Sequence, residues 1–366
     1  MTAPPERPVK LTLWTDPRFQ EHHAGSYHPE RPARLEAALR GARSVAEASG
    51  AEERTVAAPA SREALLRVHD AAHLDHLADL DARGARAQLD PDTYFGPGSH
   101  AAAVLAAGGA VELATALMDG STDVGMLLAR PPGHHAMRAR AMGFCLLNNV
   151  AVAAAQARAM GARRVAIVDW DVHHGNGTQD IFWRDPSVLF ISLHQAPLYP
   201  DSGWVTEVGG GDAAGSTLNL PFPAAGDGAL YAEAFERVVL PVLDEARPDL
   251  LLVSAGFDAH ARDPLASMQL QSRDYGWMAA RLREMAQSHA GGRLGLFLEG
   301  GYDLAAIEES VEATLRGATA PAAFPRNERS AVHPSAERIL DGVVRAGAPW
   351  WRCLRDDAQR RAISAA

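Results

Sequence analysis

The stretch VAIVDWDVHHGNGT, residues 165–178, places ionisable side chains directly behind a short apolar run. Its first part, VAIVD, has the length and the β-branched content of a buried parallel strand. Asp171, His173 and Asn176 follow within a few positions. Because a buried charge is costly unless it is paired or binds a metal, these side chains need partners from elsewhere in the chain. The stretch therefore predicts a strand that ends in a site completed by other segments.

The same arrangement recurs along the chain. Further apolar runs with the length of buried strands are LTLW (11–14), VGMLL (124–128), VLFISL (188–193), LLLVS (250–254) and LGLFLEGG (294–301). Ala-rich stretches that favour helices lie between them, at residues 101–119, 146–160, 229–246, 274–289 and 304–317. This alternation predicts an α/β fold in which helices cover both faces of a parallel sheet. Polar motifs that follow the strands are expected to meet at the rim formed by the carboxyl ends.

Composition and charge narrow the classes of protein. With 47% hydrophobic and 22% charged residues, the chain resembles an ordinary globular protein. Its 366 residues contain no internal repeat and no long linker, which predicts one domain over 1–366, with a motif-bearing core of about 10–320 and a peripheral segment of about 326–366. The net charge of −10 argues against nucleic-acid binding through phosphate neutralisation.

Cysteine usage and hydropathy indicate a compartment. Cys145 and Cys353 form neither a disulfide framework nor a CxxC motif. The N-terminal sequence lacks the apolar core of a signal peptide, and no apolar run approaches the length of a membrane span. These features predict a cytoplasmic protein that binds no membrane, and the composition is typical of bacteria. The sequence carries no signal for an oligomeric state.

The polar motifs behind the strands have the chemistry of a catalytic metal site. Asp171 and His173 can reach one cation together, because alternation along an extended segment places them on the same side. Asp258, in AGFDAH behind another apolar run, is the best candidate for a third ligand. Carboxylate oxygens and imidazole nitrogens suit zinc or a similar divalent metal. Three protein ligands leave a position open for water and substrate.

Other side chains of the rim can move protons. His134 and His135, in PPGHHA, are candidates for the base that takes a proton from water and the acid that assists the leaving group. Asp169 and Asn176 are plausible partners that fix their rings. Tyr302 follows two glycines in LEGGYD and can donate its hydroxyl to the oxyanion of a tetrahedral intermediate.

Six motifs in order resemble the histone deacetylase and acetylpolyamine amidohydrolase superfamily. They are HPERPARL (28–35), RPPGHHA (130–136), GFCLLNNVAVAA (143–154), DWDVHHGNGTQ (169–179), SAGFDAHARDPL (254–265) and EGGYDL (299–304). The resemblance runs from about residue 10 to about residue 320. It implies the arginase/deacetylase fold, a mainly parallel eight-stranded sheet sandwiched between helices.

The resemblance also implies roles for residues of this chain. By similarity a catalytic Zn²⁺ is held by Asp171, His173 and Asp258, His135 acts as general base within the pair His134 and His135, and Tyr302 polarises the acyl carbonyl. The walls of the acyl-lysine channel are by similarity Gly143, Phe144 and Tyr199. A structural K⁺ beneath the site is implied at Asp169 and Ser192, together with main-chain carbonyls.

Departures from the family's pattern refine the expected class. Asn176 stands where class I enzymes carry an aspartate, which points to the class II-like branch and to its bacterial amidohydrolases. Leu265, the fourth residue expected to contact substrate besides Gly143, Phe144 and Tyr199, stands near the position of the glutamate found in polyamine-specialised members. The sequence thus favours a zinc-dependent deacylase of lysine-like amines. The alternatives are an acetylpolyamine amidohydrolase and a catalytically silent protein that binds acylated amines, and the presence of all the catalytic residue types speaks against the last.

Overall fold

The structure is a computed structural model that describes residues 8–23, 25, 27–325 and 333–364. Its centre is an eight-stranded sheet formed by β1 (Leu11–Thr15), β2 (Glu52–Thr55), β5 (Val124–Leu127), β6 (Val165–Asp169), β7 (Val188–Gln195), β8 (Thr217–Phe222), β9 (Leu250–Ala255) and β10 (Leu294–Leu298). Every neighbouring pair is parallel, and the order across the sheet is β2-β1-β5-β10-β9-β6-β7-β8. A separate short hairpin pairs β3 (Ala87–Gln88) with β4 (Tyr94–Phe95). The predicted α/β fold is confirmed.

Helices fill the connections between the strands. They are α1 (Pro32–Ser49), α2 (Arg62–Leu66), α3 (Ala71–Ala82), α4 (Ser99–Met118), α5 (Asn149–Ala159), α6 (Asn176–Phe182), α7 (Gly228–Ala234), α8 (Leu240–Ala246), α9 (Ser272–His289), α10 (Leu304–Thr319), α11 (Pro334–Gly347) and α12 (Arg352–Ser364). A π-helical turn joins α7 to α8. The strands β6, β9 and β10 are buried along their whole length, so their apolar side chains form the core with the inner faces of these helices.

The two edge strands are those that hydrophobic patterning does not find. β2 reads EERT and is largely exposed, so it has no apolar run to signal a strand. β8 follows a Gly-rich segment and contains Pro221, which is tolerated because the strand lies at an edge of the sheet. Charged residues on β2, and helix α11 packed against β8, cover the two edges against pairing with other chains.

Within the described ranges, one helix, α4, is long and apolar enough to cross a membrane, judged by length and composition alone. Two-thirds of its most apolar 18-residue stretch is buried inside the protein. Ala102, Ala106 and Ala110 are completely buried there, and the helix packs against α5 and β5. Its hydrophobicity is therefore explained by its position in the core.

The C-terminal segment folds into two helices outside the sheet. The predicted peripheral segment begins at about residue 326, and its residues 326–332 and 365–366 lie outside the described residues. The remainder forms α11 and α12, which pack on β8 and α8. Leu340 and Leu354 are buried in these contacts, so the segment adds to the hydrophobic core although it lies at the periphery.

A buried arginine connects both C-terminal helices to the rest of the protein. The guanidinium of Arg237 donates to Asp341 of α11 at 2.7 Å and to Asp357 of α12 at 3.0 Å. We expect R237M to lower the free energy of unfolding by about 2 kcal/mol, because it leaves two partly buried carboxylates without this cation. Urea denaturation of R237M is the measurement, with R338M on the exposed face of α11 as the control. Equal stability of the two variants would contradict this prediction.

The order of the strands brings the motif-bearing segments together. β5, β10, β9, β6 and β7 are consecutive neighbours in the sheet. His134 and His135 follow β5, Asp171 follows β6, Asp258 follows β9 and Tyr302 follows β10. Because all five strands are parallel, their carboxyl ends lie along one edge. The predicted convergence on one rim is confirmed.

Candidate active site

A pocket of about 390 Å³ opens at the carboxyl edge of the sheet. Its lining comes from distant parts of the chain: His28, Pro29, Gln88, Pro91, Asp92, Pro132, His134, His135, Gly143, Phe144, His173, Leu198, Tyr199, Leu265, Gly300 and Tyr302. The structure thus brings together at one pocket all four residues predicted to contact substrate. Asp171, Asp258, Asp169 and Asn176 lie behind this surface and contact its histidines.

Asp171, His173 and Asp258, hereafter the ligand trio, meet at the base of the pocket. Their candidate ligand atoms lie within 4.8 Å of one another, and all three residues are largely or fully buried. Nδ1 of His173 faces Oδ1 of Asp171 at 3.2 Å and Oδ2 of Asp258 at 3.1 Å. The remaining carboxylate oxygens accept backbone amides, from Gly300 at 2.7 Å and Val172 at 2.8 Å. These amides orient the carboxylates toward the histidine.

The charges of the ligand trio fit a divalent cation. Burial, and next the neighbouring Asp171, raise the pKa of Asp258 to about 7. The pKa of Asp171 is nevertheless lowered, because the positive charges of His134 and His173 outweigh the effect of burial. Two buried carboxylates on one imidazole nitrogen form an electron-rich set that a cation neutralises.

Two glycines leave the space in which these carboxylates lie. A Cβ atom on Gly256 would overlap the carboxylate of Asp171, and a Cβ atom on Gly300 would overlap that of Asp258 and crowd that of Asp171. Neither glycine has a positive φ, so close approach to the carboxylates is what requires glycine here. The segments AGFDAH and EGGYD therefore contribute backbone shape as well as side chains.

We expect G300A to weaken the binding of a divalent metal ion by the ligand trio about 10–100-fold, the range found when the supports of metal ligands are disturbed. The added methyl group would displace the carboxylates of Asp171 and Asp258 from their present positions. Chelator competition on the purified protein measures the dissociation constant. G342A is the matched control, because a Cβ atom at Gly342 meets no heavy atom within 4 Å. Equal metal affinity of G300A and G342A would show that a glycine is not needed at position 300.

His134 and His135 are adjacent in sequence but are held by different partners. Nδ1 of His134 lies 3.0 Å from Oδ2 of Asp169, and Nδ1 of His135 lies 2.7 Å from Oδ1 of Asn176. Since both oxygens accept, each Nδ1 carries a proton. On an uncharged ring, Nε2 is then left as an acceptor. The two imidazole centroids are 4.0 Å apart.

The different partners give the two histidines opposite protonation. Burial lowers the pKa of His134, but Asp171 and Asp169 outweigh it and raise the pKa to about 10. The pKa of His135 is held well below 6.5 by burial and by the positive charges of His134 and His173. A cation on Asp171 would reduce that carboxylate's effect on His134, whereas Asp169 would continue to favour its charged form. Opposite shifts in neighbouring groups are typical of an acid and base pair.

Aromatic side chains form the walls above the ligand trio. Phe144 lies edge-on to Tyr302, with ring centroids 5.9 Å apart, and Tyr199 lies edge-on to His135 at 5.2 Å. Gly143 and Phe144 both adopt positive φ, of 56° and 68°. Thr93 accepts the Phe144 amide at 3.0 Å and so braces this turn against the loop before β4. Burial raises the pKa of Tyr302 well above 10, so its hydroxyl remains a proton donor at neutral pH.

Asp169 and Ser192, the side chains predicted to hold potassium, are paired directly across β6 and β7. Both are fully buried. Ser254, on the opposite side of Asp169 in β9, has a buried hydroxyl without a hydrogen-bond partner in the described part of the chain. Burial raises the pKa of Asp169 to about 6 although His134 opposes this shift. The surroundings of Asp169 therefore combine a costly buried carboxylate with one hydroxyl oxygen, that of Ser254, which has no hydrogen-bond partner among the described residues.

A buried ion cluster beneath Tyr302 was not predicted from the sequence. Glu30 lies between Arg130, whose Nη2 donates to Oε2 at 2.5 Å, and Arg34, whose Nη1 donates to Oε1 at 3.0 Å. Burial works against this charge, but the arginines outweigh it and lower the pKa of Glu30 to about 2. Arg34 also donates to the backbone oxygens of Glu299 and Gly301, and its guanidinium lies 4.7 Å from the Tyr302 ring centroid. The motif HPERPARL therefore supports the turn that carries Tyr302.

Comparisons with known proteins agree with this architecture. A histone deacetylase domain model matches residues 28–318. The chain is 43% identical over 319 residues to a histone deacetylase-like amidohydrolase of Pseudomonas aeruginosa, covering 82% of this chain and 81% of the relative. It is 38% identical to the human polyamine deacetylase HDAC10, covering 94% of this chain and 51% of that protein. The crystal structure of the HDA15 HD domain superposes with a TM-score of 0.89 at 35% identity, covering 97% and 99% of the two chains. The matched domain and the sequence identity show that the chain belongs to the histone deacetylase family.

Proposed function

We propose that this chain is a zinc-dependent amidohydrolase that removes acetyl or similar short acyl groups from the side-chain amine of lysine-like substrates. The observation that carries the proposal is the ligand trio at the base of an apolar-walled pocket, beside two histidines whose different partners shift their pKa values in opposite directions. Deacetylases and amidohydrolases among its relatives support hydrolysis of an amide bond. The free cysteines are compatible with a reducing cytoplasm, where we propose that it acts.

Each side chain has a distinct part in the proposed reaction. Asp171, His173 and Asp258 would hold the zinc ion. When bound, zinc supplies Lewis-acid chemistry, which acidifies water and polarises a carbonyl. His135 takes the proton of the attacking water at Nε2, because its Nδ1 is already protonated and donates to Asn176.

Two further groups complete the proposed reaction. Tyr302 donates its hydroxyl to the oxyanion of the tetrahedral intermediate. The proton taken by His135 passes to the nitrogen of the leaving amine as the amide bond breaks, which yields the carboxylate and the free amine. The positive charge of His134, fixed by Asp169, offsets the negative charge that develops on the substrate. In the proposed reaction His135 therefore transfers the proton, and His134 stabilises negative charge.

We also propose that a potassium ion lies beside Asp169 and Ser192. The carboxylate of Asp169 is fully buried, and a monovalent cation there would offset the cost of that burial. Bound potassium stabilises the folded state by mass action, so replacing KCl with choline chloride at equal ionic strength should lower the melting temperature. D249N is the control, because it removes an aspartate at a surface turn outside this site. Its melting temperature should differ between the two salts by as much as that of the wild type. Identical melting curves of the wild-type protein in the two salts would contradict this proposal.

The lining of the pocket favours acyl-lysine over acylpolyamine substrates. Leu265 contributes an apolar side chain where a carboxylate would attract the additional ammonium groups of a polyamine. Asp92, which is exposed, is the acidic residue among those that line the pocket, and its carboxylate could attract an ammonium group of a substrate. The similarity to a polyamine deacetylase nevertheless makes acetylpolyamines the second candidate substrates.

The test is acetate release from an acetyl-lysine peptide and from acetylspermidine by the purified protein, before chelation, after chelation and after zinc is restored. We expect turnover of the peptide that is lost on chelation and recovered with zinc. Higher kcat/KM on acetylspermidine would transfer the assignment to the polyamines. If each chain binds one zinc ion but releases acetate from neither substrate, the hydrolase proposal is wrong. The alternative is then a protein that binds acylated amines.

A further inference from the structure

Glu299, directly after β10, is a buried carboxyl group with no established task. The residue is completely buried, and no basic side chain forms an ion pair with it within the described ranges. Burial raises its pKa to about 7, against the lowering effects of His134 and of the two amides that it accepts. A buried carboxylate without a cation is costly, so its position requires a compensating use.

The hydrogen bonds of Glu299 connect it to the histidine pair. Its Oε2 accepts the backbone amide of Gly133 at 2.6 Å and that of His134 at 3.1 Å. Its Oε1 has no hydrogen-bond partner among the described residues. The carboxyl group therefore satisfies two buried donors of the turn that presents His134 and His135 to the pocket.

The same turn is held from its other side by α6. The backbone oxygen of His134 accepts the Thr178 amide at 3.1 Å, so the main chain at His134 has one partner on each side. The ring of His134 then reaches Asp169, and that of His135 reaches Asn176 at the start of α6. Loss of the Glu299 acceptor would free the amide side of this turn while α6 still held the carbonyl side.

We propose that Glu299 is a positioning residue, whose carboxyl oxygen fixes the Gly133–His134 backbone and thereby aims the rings of the histidine pair. The proposal rests on the proposed function, since it assigns Glu299 to the reaction through that pair. The neighbouring Gly300 amide donates to Asp171 of the ligand trio at 2.7 Å. Residues 299 and 300 therefore set two parts of the site separately, one through a side chain and the other through a backbone amide.

Three substitutions separate hydrogen bonding from charge and packing. E299Q keeps an oxygen acceptor at the same reach and removes the charge. E299L has a similar volume and removes the acceptor. E299D keeps the charge but withdraws the acceptor by about one carbon–carbon bond, ~1.5 Å. All three are measured as the zinc-loaded full chain, with zinc content determined for each.

If Glu299 positions the pair, kcat of E299Q stays within about threefold of wild type, whereas kcat of E299L falls about 10–100-fold, the cost of a displacement on the order of 1 Å. KM should change by less than about twofold, because the pocket walls are unaltered. Each chain should still bind one zinc ion, because the ligand trio is unaltered. E299D should lose activity as E299L does, and it decides the question if E299L does not fold. E299L or E299D as active as E299Q would overturn the proposal.

Amide hydrogen exchange of Gly133 and His134 gives a readout that does not depend on catalysis. Both amides should exchange faster in E299L and E299D than in wild type or E299Q. If Glu299 only stabilised the fold as a whole, the substitutions would lower the melting temperature. Exchange of Gly133 and His134, measured at the same interval below each variant's melting temperature, would then equal that of the wild type. If the wild-type protein hydrolyses no acyl amine, the proposed function fails, and the exchange comparison still decides whether Glu299 fixes the turn. Unchanged exchange in both E299L and E299D would refute the positioning role.

Discussion

An enzyme with His135 replaced by alanine is expected to have kcat reduced about 10²–10⁴-fold, the contribution of a positioned general base. Asn176 holds the protonated Nδ1, so Nε2 of His135 is the acceptor that faces the pocket. Its pKa is kept well below 6.5 by burial and by the neighbouring positive charges, so the ring is uncharged at neutral pH.

The measurement for H135A is steady-state hydrolysis of an acetyl-lysine reporter, with zinc content determined in parallel. Zinc should remain stoichiometric, because His135 is not one of the ligand trio. H76A, at an exposed histidine of α3, is the control for general effects of losing an imidazole. Activity of H135A within about tenfold of wild type would require a different base.

Substitution of Tyr302 by phenylalanine is expected to lower kcat about 10²–10³-fold, as found when one donor to an oxyanion is removed. The change deletes the hydroxyl and leaves the ring, which packs against Phe144 and lies near Arg34. KM and zinc content should change little, since neither the ligand trio nor the wall is altered. The loss should therefore appear almost entirely in kcat.

Tyr199 offers a matched control on the opposite wall. Its hydroxyl is buried and has no hydrogen-bond partner in the described structure, whereas its ring contacts His135 and His173. We expect Y199F to keep kcat within about threefold, because the ring supplies the wall and the hydroxyl donates to nothing. Equal losses in Y302F and Y199F would mean that the Tyr302 hydroxyl has no special part in the reaction.

The sequence was sufficient to predict the centre of the sheet and the residues at its carboxyl edge. β6, β9 and β10 are continuous apolar runs, and their polar residues follow directly, so sequence position and spatial position coincide. The edge strands were not predicted, because β2 is charged and β8 follows glycines and contains a proline. At an edge, backbone pairing forms strands that side-chain hydrophobicity does not signal.

The supporting residues of the site could not be assigned from spacing. Arg34 and Glu299 both lie in quoted motifs, but their contacts are distant in sequence. Arg34 donates to the backbone oxygen of Glu299 across 265 positions, and the Glu299 side chain accepts the Gly133 amide across 166 positions. Neighbouring charges also decide the protonation of the buried carboxyl groups. Burial raises the pKa of both Glu30 and Glu299, but Arg130 and Arg34 lower the pKa of Glu30, whereas the pKa of Glu299 stays raised. The sequence shows that these charged residues lie beside apolar segments, but three-dimensional packing determines what they contact.

The dispersal of the ligand trio along the chain has a consequence for biosynthesis. Asp171 and the amide of Gly300 that orients it are 129 positions apart, and they meet because β6, β9 and β10 are adjacent in the sheet. In small zinc domains the ion acts as a template around which a short chain folds. Here a nascent chain on the ribosome cannot assemble the site until β10 has emerged and docked. If the ligand trio holds a metal as proposed, metal binding should therefore follow folding of the sheet and should not begin it.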